Sequence, residues 1–189
     1  MFKYIILILF FICSNLNAQE SEHPTTFKFT RDAEPQARVG YWSRLNDYVV
    51  VEVNGSAEEN YRRVLNYVKS VYKNPEEVIV AESENRFIKI SGFAPGLYYM
   101  GIGGYVGIRY NLTIFVKENK MKIKINSMER YFEEYGWIDF NGIVIHKSNG
   151  KPKKRVFGKT DKDIEDYFNG IVESLKNFKI SGKKSLDDW

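Results

Sequence analysis

Apolar and polar residues alternate with a period of two through the middle of the chain. Ile108, Tyr110, Leu112, Ile114 and Val116 are separated by Arg109, Asn111, Thr113 and Phe115. Alternation of that length predicts a half-buried strand with one wet face. Glu118-Asn119 follows as a tight turn, and Met121, Ile123 and Ile125 alternate with Lys120, Lys122 and Lys124 on a returning strand. Upstream, Tyr48-Val49-Val50-Val51-Glu52-Val53 is short and β-branched, a strand composition. Val78–Ala81 and Phe87–Ile90 flank the polar residues 82–85, which signals a hairpin. Gly92 to Gly107 reads as a glycine-rich connection.

Two segments switch to helical spacing. In the first, Asn54-Gly55 turns the chain, and Ser56 with Glu59 forms a capping box that satisfies two orphan backbone donors. Ala57, Tyr61, Val64, Leu65, Val68 and Tyr72 then make one apolar stripe, and Asn74-Pro75 ends it. The second begins at Thr160 and Asp163 and carries Ile164, Tyr167, Phe168, Ile171, Val172, Leu175 and Phe178 at spacings of three and four. Gly170 is its one weak helix former.

The order strand, helix, four strands, helix predicts an α+β fold. One antiparallel sheet with both helices on one face buries both stripes and leaves the other face wet. Residues 19–47 are polar and aperiodic and read as an extended leader, with Tyr41 and Trp42 docking onto the domain. Residues 128–158 supply an added strand or a covering loop, with 147–158 an exposed connection. The division expected is a signal peptide (1–18), a leader (19–47) and a single domain (48–189).

The segment Val51-x-Val53-x-Gly55-Ser56-x-x-Glu59-x-Tyr61-Arg62-Arg63, set in that element order, resembles an exported bacterial group, domain-of-unknown-function family 4468. The resemblance runs from about Tyr48 to Trp189, and the terminal Asp187-Asp188-Trp189 suits it. It implies a TATA-binding-protein-like (TBP-like) fold and a Gram-negative envelope setting. It implies no activity, and no catalytic residue is carried over from it.

The first residues independently point to export. Met1-Phe2-Lys3 is a short basic start, Tyr4–Ile12 is an unbroken apolar run, and Cys13–Ala18 ends on a small residue. That is the order of a signal peptide cleaved after Ala18. Nine apolar residues fall well short of the roughly 20 that a membrane helix needs. Bulky Phe10-Phe11-Ile12 before Cys13 argues against lipid attachment there. A periplasmic or secreted protein follows, which excludes most cytosolic functions. Cys13, the single cysteine, leaves with the signal, so the mature chain holds together without disulfides or thiolate metal sites. Aromatic residues, 15% of the chain, provide material for that packing. The whole chain carries a net charge of +4, one of which is Lys3, too mild a balance to demand nucleic acid.

Catalytic chemistry is thinly supplied. Gly101–Gly107 fails the phosphate-loop templates, because position 106 is Val and no Gly-Lys-Ser/Thr follows. His23 and His146 are the only histidines, and no zinc or hydrolase motif is present, so no metal, cofactor or catalytic residue is assigned. Glu133, Glu134 and Asp139 leave open a weak hydrolase built on a carboxylate pair. The wet sheet face is the stronger candidate. Phe87, Lys89, Arg109, Phe115, Lys122 and Lys124, with Asn111, Thr113 and Lys120 among them, interleave cations with aromatic rings. That pattern suits an anionic ligand; nucleic acid rests on fold analogy alone and suits export poorly, so none is expected. Lysines on a solvated face also discourage edge aggregation. The expectation is a non-enzymatic binding or adaptor module whose partner is an envelope protein or an anionic ligand.

Overall fold

A computed structural model describes residues 23–31, 41–99, 104–140, 143–146 and 160–179. The expected signal peptide, the exposed connection 147–158 and the terminal Asp-Asp-Trp lie outside them.

Strands β3 (Tyr48–Glu52), β4 (Ile79–Ser83), β5 (Phe87–Tyr99), β6 (Tyr105–Lys117), β7 (Lys120–Phe132) and β8 (Gly136–Asp139) form one six-stranded antiparallel sheet. Its order is β3-β7-β6-β5-β4, and β8 also pairs with β7. The expected turn at Glu118-Asn119 joins β6 to β7, with Lys117 opposite Lys120 and Asn119 at a φ of 57°. Helices α1 (Ala57–Val71) and α3 (Thr160–Asn177) pack on one face, and the short α2 (Pro75–Val78) follows the break at Asn74-Pro75. The α+β architecture expected from the alternation is thus the one found.

The capping box forms as its spacing predicts. Ser56 N–H donates to Glu59 Oε2 at 2.8 Å, and Glu59 N–H donates to Ser56 Oγ at 3.2 Å. These bonds to the charged form hold the Glu59 carboxyl below its ordinary range. Asn60, fully buried, donates from Nδ2 to Gly55 O at 3.2 Å and Lys117 O at 2.9 Å, tying the helix start to the β6–β7 turn.

The core lies between the sheet and the two helices. Ile88, Ile90, Ile108, Leu112, Ile114 and Ile123 from the sheet meet Val64, Val68, Ile164, Phe168 and Leu175. Tyr110 is fully buried at its centre, with its hydroxyl 2.9 Å from that of Tyr72 on the α1 side and 2.8 Å from that of Tyr167 on α3. One sheet tyrosine thereby links both helices, and burial pushes its hydroxyl pKa upward.

Two segments differ from the sequence reading. Much of the glycine-rich connection is strand, since β5 continues to Tyr99 and β6 begins at Tyr105. Its glycines make room for rings: a Cβ at Gly92 would lie 2.3 Å from the Tyr110 ring, and one at Gly107 2.2 Å from that of Phe93. Part of the expected leader is built into the domain. Strands β1 (Phe29–Arg31), β2 (Tyr41–Leu45) and β9 (Ile143–His146) form a second, three-stranded sheet. Phe27 is fully buried against Phe168. Its backbone N–H donates to Asn169 Oδ1 at 2.7 Å, and its carbonyl accepts from Asn169 Nδ2 at 3.0 Å. Among the described residues, no helix is long and apolar enough to cross a membrane.

Candidate binding face

The side of the sheet away from the helices is ordered by strand register. Its first row sets Phe87 opposite Phe115, which is opposite Lys122, which is opposite Val50. The next runs Lys89, Thr113, Lys124 and Tyr48. Ser91, Asn111 and Ser127 follow, at the bulge that adds Asn126 to β7. The fourth row runs Phe93, Arg109, Glu129 and Asp139, and Tyr131 opposite Trp137 closes the face.

The register brings five of the six expected ligand-binding residues together. The Phe87 and Phe115 rings lie 6.0 Å apart, and Phe115 is 40% exposed. They line an open groove of about 690 Å³ that also takes in Asn85, Arg86, Lys117 and Lys120. Lys89, Lys122 and Lys124 sit in the same two rows, with Lys122 Nζ 4.0 Å from the Tyr48 ring centroid. Lys120 faces Glu52 across β3, and Glu118 lies at the groove's rim. Arg86 and Lys117 were not singled out from the sequence, because turn-flanking charges look like ordinary solvated residues until the turns are placed together.

Arg109 is the exception. It lies six residues along β6 from Phe115, roughly 20 Å away at about 3.4 Å per residue. Its guanidinium sits 4.0 Å from the Trp137 ring centroid and 3.5 Å from Glu129 Oε2. It therefore belongs to a second cluster, with Phe93, Tyr131 and Trp137, that the sequence reading missed. Thr113 is also corrected. It lies on the outer side as the alternation requires, but it is only 8% exposed. It sits on the central strand between Lys89 and Lys124, and its Oγ1 accepts from Asn126 Nδ2 at 2.7 Å.

The carboxylates expected for a hydrolase are divided between a turn and a strand end. Glu133 and Glu134 are exposed in the turn between β7 and β8, whereas Asp139 ends β8 opposite Glu129. His23 Nδ1 lies 3.4 Å from the Tyr48 hydroxyl, and His146 is in β9 opposite Tyr41. Among the described residues, no group of three or more His, Cys, Asp or Glu is placed to hold a metal ion.

A long antiparallel sheet with two helices on one face, and none on the other among the described residues, defines the class of this domain, and its fold has a counterpart among solved structures. A DUF4468-family protein from Bacteroides ovatus superposes with a TM-score of 0.56, covering 74% of this chain and 90% of that one at 11% identity. A TBP-like protein from Parabacteroides distasonis aligns with a TM-score of 0.48 over 70% of this chain and 92% of that one, at 16% identity. The resemblance to family 4468 carried by the sequence is thus borne out at the level of fold, and at these identities the likeness is one of fold alone. No protein-family model and no curated protein sequence matches the chain.

Proposed function

We propose that this is an exported, non-enzymatic binding protein of the family 4468 type that holds an anionic envelope ligand on the basic half of its outer sheet face. The observation that carries this reading is the Phe87–Phe115 pair, open to the groove and bordered by Arg86, Lys117, Lys120 and Lys122. The rings offer apolar contact, and the surrounding cations offer charge-assisted hydrogen bonds to phosphate or carboxylate. Such a ligand has a greasy or ring-shaped body and an acidic group, as acidic glycans and lipopolysaccharide do. The hydrolase reading draws less support, because Glu133 and Glu134 are exposed in the turn between β7 and β8, whereas Asp139, at the other end of β8, faces Glu129.

Binding through this half falls as salt rises, because screening shortens from roughly 10 Å at 0.1 M to about 3 Å at 1 M. The mature protein should be titrated with lipopolysaccharide, an acidic polysaccharide and an oligonucleotide at both salt levels. A Lys120→Glu, Lys122→Glu double variant should lose the acidic glycan or lipopolysaccharide. Equal binding by parent and variant sinks the reading, and a preference for the oligonucleotide redirects it to nucleic acid.

A further inference from the structure

The far half of the same face has a different chemistry. Phe93, Tyr131 and Tyr135 are 54%, 46% and 74% exposed, unusual for side chains whose burial is worth so much. Trp137 sits beside Phe93 and Tyr131. Its ring stands edge-on to Phe93, with centroids 6.1 Å apart at 88°, and to Tyr131, at 5.4 Å and 65°.

The cluster is fixed from below and from the side. Phe93 closes over Gly107, where no Cβ intervenes. Arg109 lies on the Trp137 ring and is itself held by Glu129. Rings locked in this way lose little freedom on binding, which favours recognition. The polar groups beside them are Arg109, Glu129 and Asp139 in one row and Asn111, whose Nδ2 donates to Ser127 Oγ at 2.8 Å, in the next.

The charge balance here opposes that of the basic half. Arg109 faces Glu129, which in turn faces Asp139, with Glu133 and Glu134 in the adjoining turn and Arg44 sharing a pocket with Asp139. Four carboxylates against two guanidiniums disfavour an anionic membrane surface, nucleic acid or acidic polymer here. A pyranose ring fits it. One face of the sugar is C–H and packs on an aromatic ring, and the rim is hydroxyl, which pairs with planar carboxylate, guanidinium and amide groups.

We infer that Phe93, Tyr131 and Trp137, with Glu129 and Asp139 as hydroxyl acceptors, form a binding site for an uncharged oligosaccharide. The site is independent of the basic groove, so either can fail without the other.

Isothermal titration of the mature protein with laminarin, pullulan and hydroxyethylcellulose, three uncharged polysaccharides of different linkage, tests it. At least one should bind, with similar affinity at about 0.1 M and about 1 M salt. Tyr131→Ala, an exposed position, should weaken that binding by about tenfold, and Trp137→Ala should abolish it. Phe115→Ala, at the other end of the face, should leave it intact. If Trp137→Ala fails to fold, Tyr131→Ala and Phe93→Ala still decide the matter. Absence of binding to all three polymers overturns the inference, as does binding that folded Tyr131→Ala and Phe93→Ala variants retain in full. A concentration-dependent dimer in sedimentation that Tyr131→Ala dissolves also overturns it, by assigning the rings to a second copy of this chain.

Discussion

The two faces of the central sheet come from the same strands, one residue out of step, and they use aromatic residues in opposite ways. On the helix side, Tyr110 is fully buried and its hydroxyl is spent internally on Tyr72 and Tyr167. On the outer side, Phe93, Phe115 and Tyr131 keep much of their surface in water, beside charged groups. Hydrophobicity alone does not separate the faces. What separates them, among the described residues, is whether a second layer covers the rings, and that follows from the helical stripes that only one face receives there. Stability and recognition are thus assigned by parity along each strand, which makes the assignment breakable one residue at a time.

The sharpest break is Ile114→Asp. Ile114 is fully buried on the helix side of the central strand, so the change places an unpaired carboxylate in the core. A loss of about 4 kcal/mol or more is expected, enough to unfold a marginal domain. Denaturant melts measure it, and a loss below about 1 kcal/mol would mean that the register of β6 is wrong.

Alkaline pH probes the same side through its tyrosines. Burial raises the Tyr67 hydroxyl from 10.0 to about 12. Between those values the folded state keeps a proton that the unfolded chain releases, so stability falls as pH rises. The contribution is complete below about pH 10 and is gone once pH passes about 12. Its size is roughly 2–3 kcal/mol. Stability measured from pH 9 to pH 12 should decline less steeply in Tyr67→Phe than in the parent, and parallel curves would refute the assignment.

How far this division was legible in the sequence depends on whether its signals were local. The alternation in β6 and β7 and the capping box at Ser56 and Glu59 are decided by neighbours in the chain, and the structure reproduces them. Gly92 and Gly107 misled because glycine read alone means a turn, whereas here each glycine clears space for a ring on the adjoining strand. The small sheet was illegible for a related reason: β2 pairs with β9 across about a hundred residues, with Tyr41 opposite His146. The basic half of the face was legible from period two. The Trp137 cluster was not, because it needs β8 to fold back on β7, and residues 128–158 gave no clear period.

Thr113→Asp sits between the extremes and sharpens the comparison. Period two places it on the outer face, but neighbouring strands shield it, and its hydroxyl accepts from Asn126. Aspartate there is partly desolvated, yet it lies between Lys89 and Lys124, which favour its charge. A cost of about 1–2 kcal/mol in a denaturant melt is expected, well below that of Ile114→Asp. A cost equal to that of Ile114→Asp would mean that the centre of the outer face is core.

Lys124→Gln should have the smallest effect and is the strictest control. Lys124 is exposed, lies opposite Thr113 and Tyr48, and belongs to the basic half of the outer face. Exposed single charges contribute little to folding, and the change should stay within about 0.5 kcal/mol. If the face is a recognition surface, the same substitution should reduce affinity for an acidic glycan at about 0.1 M salt and matter far less at about 1 M. A melt and a titration on one protein sample compare the two effects directly. A stability loss above about 1 kcal/mol with unchanged binding would reverse the assignment, making the basic row part of what holds the sheet together.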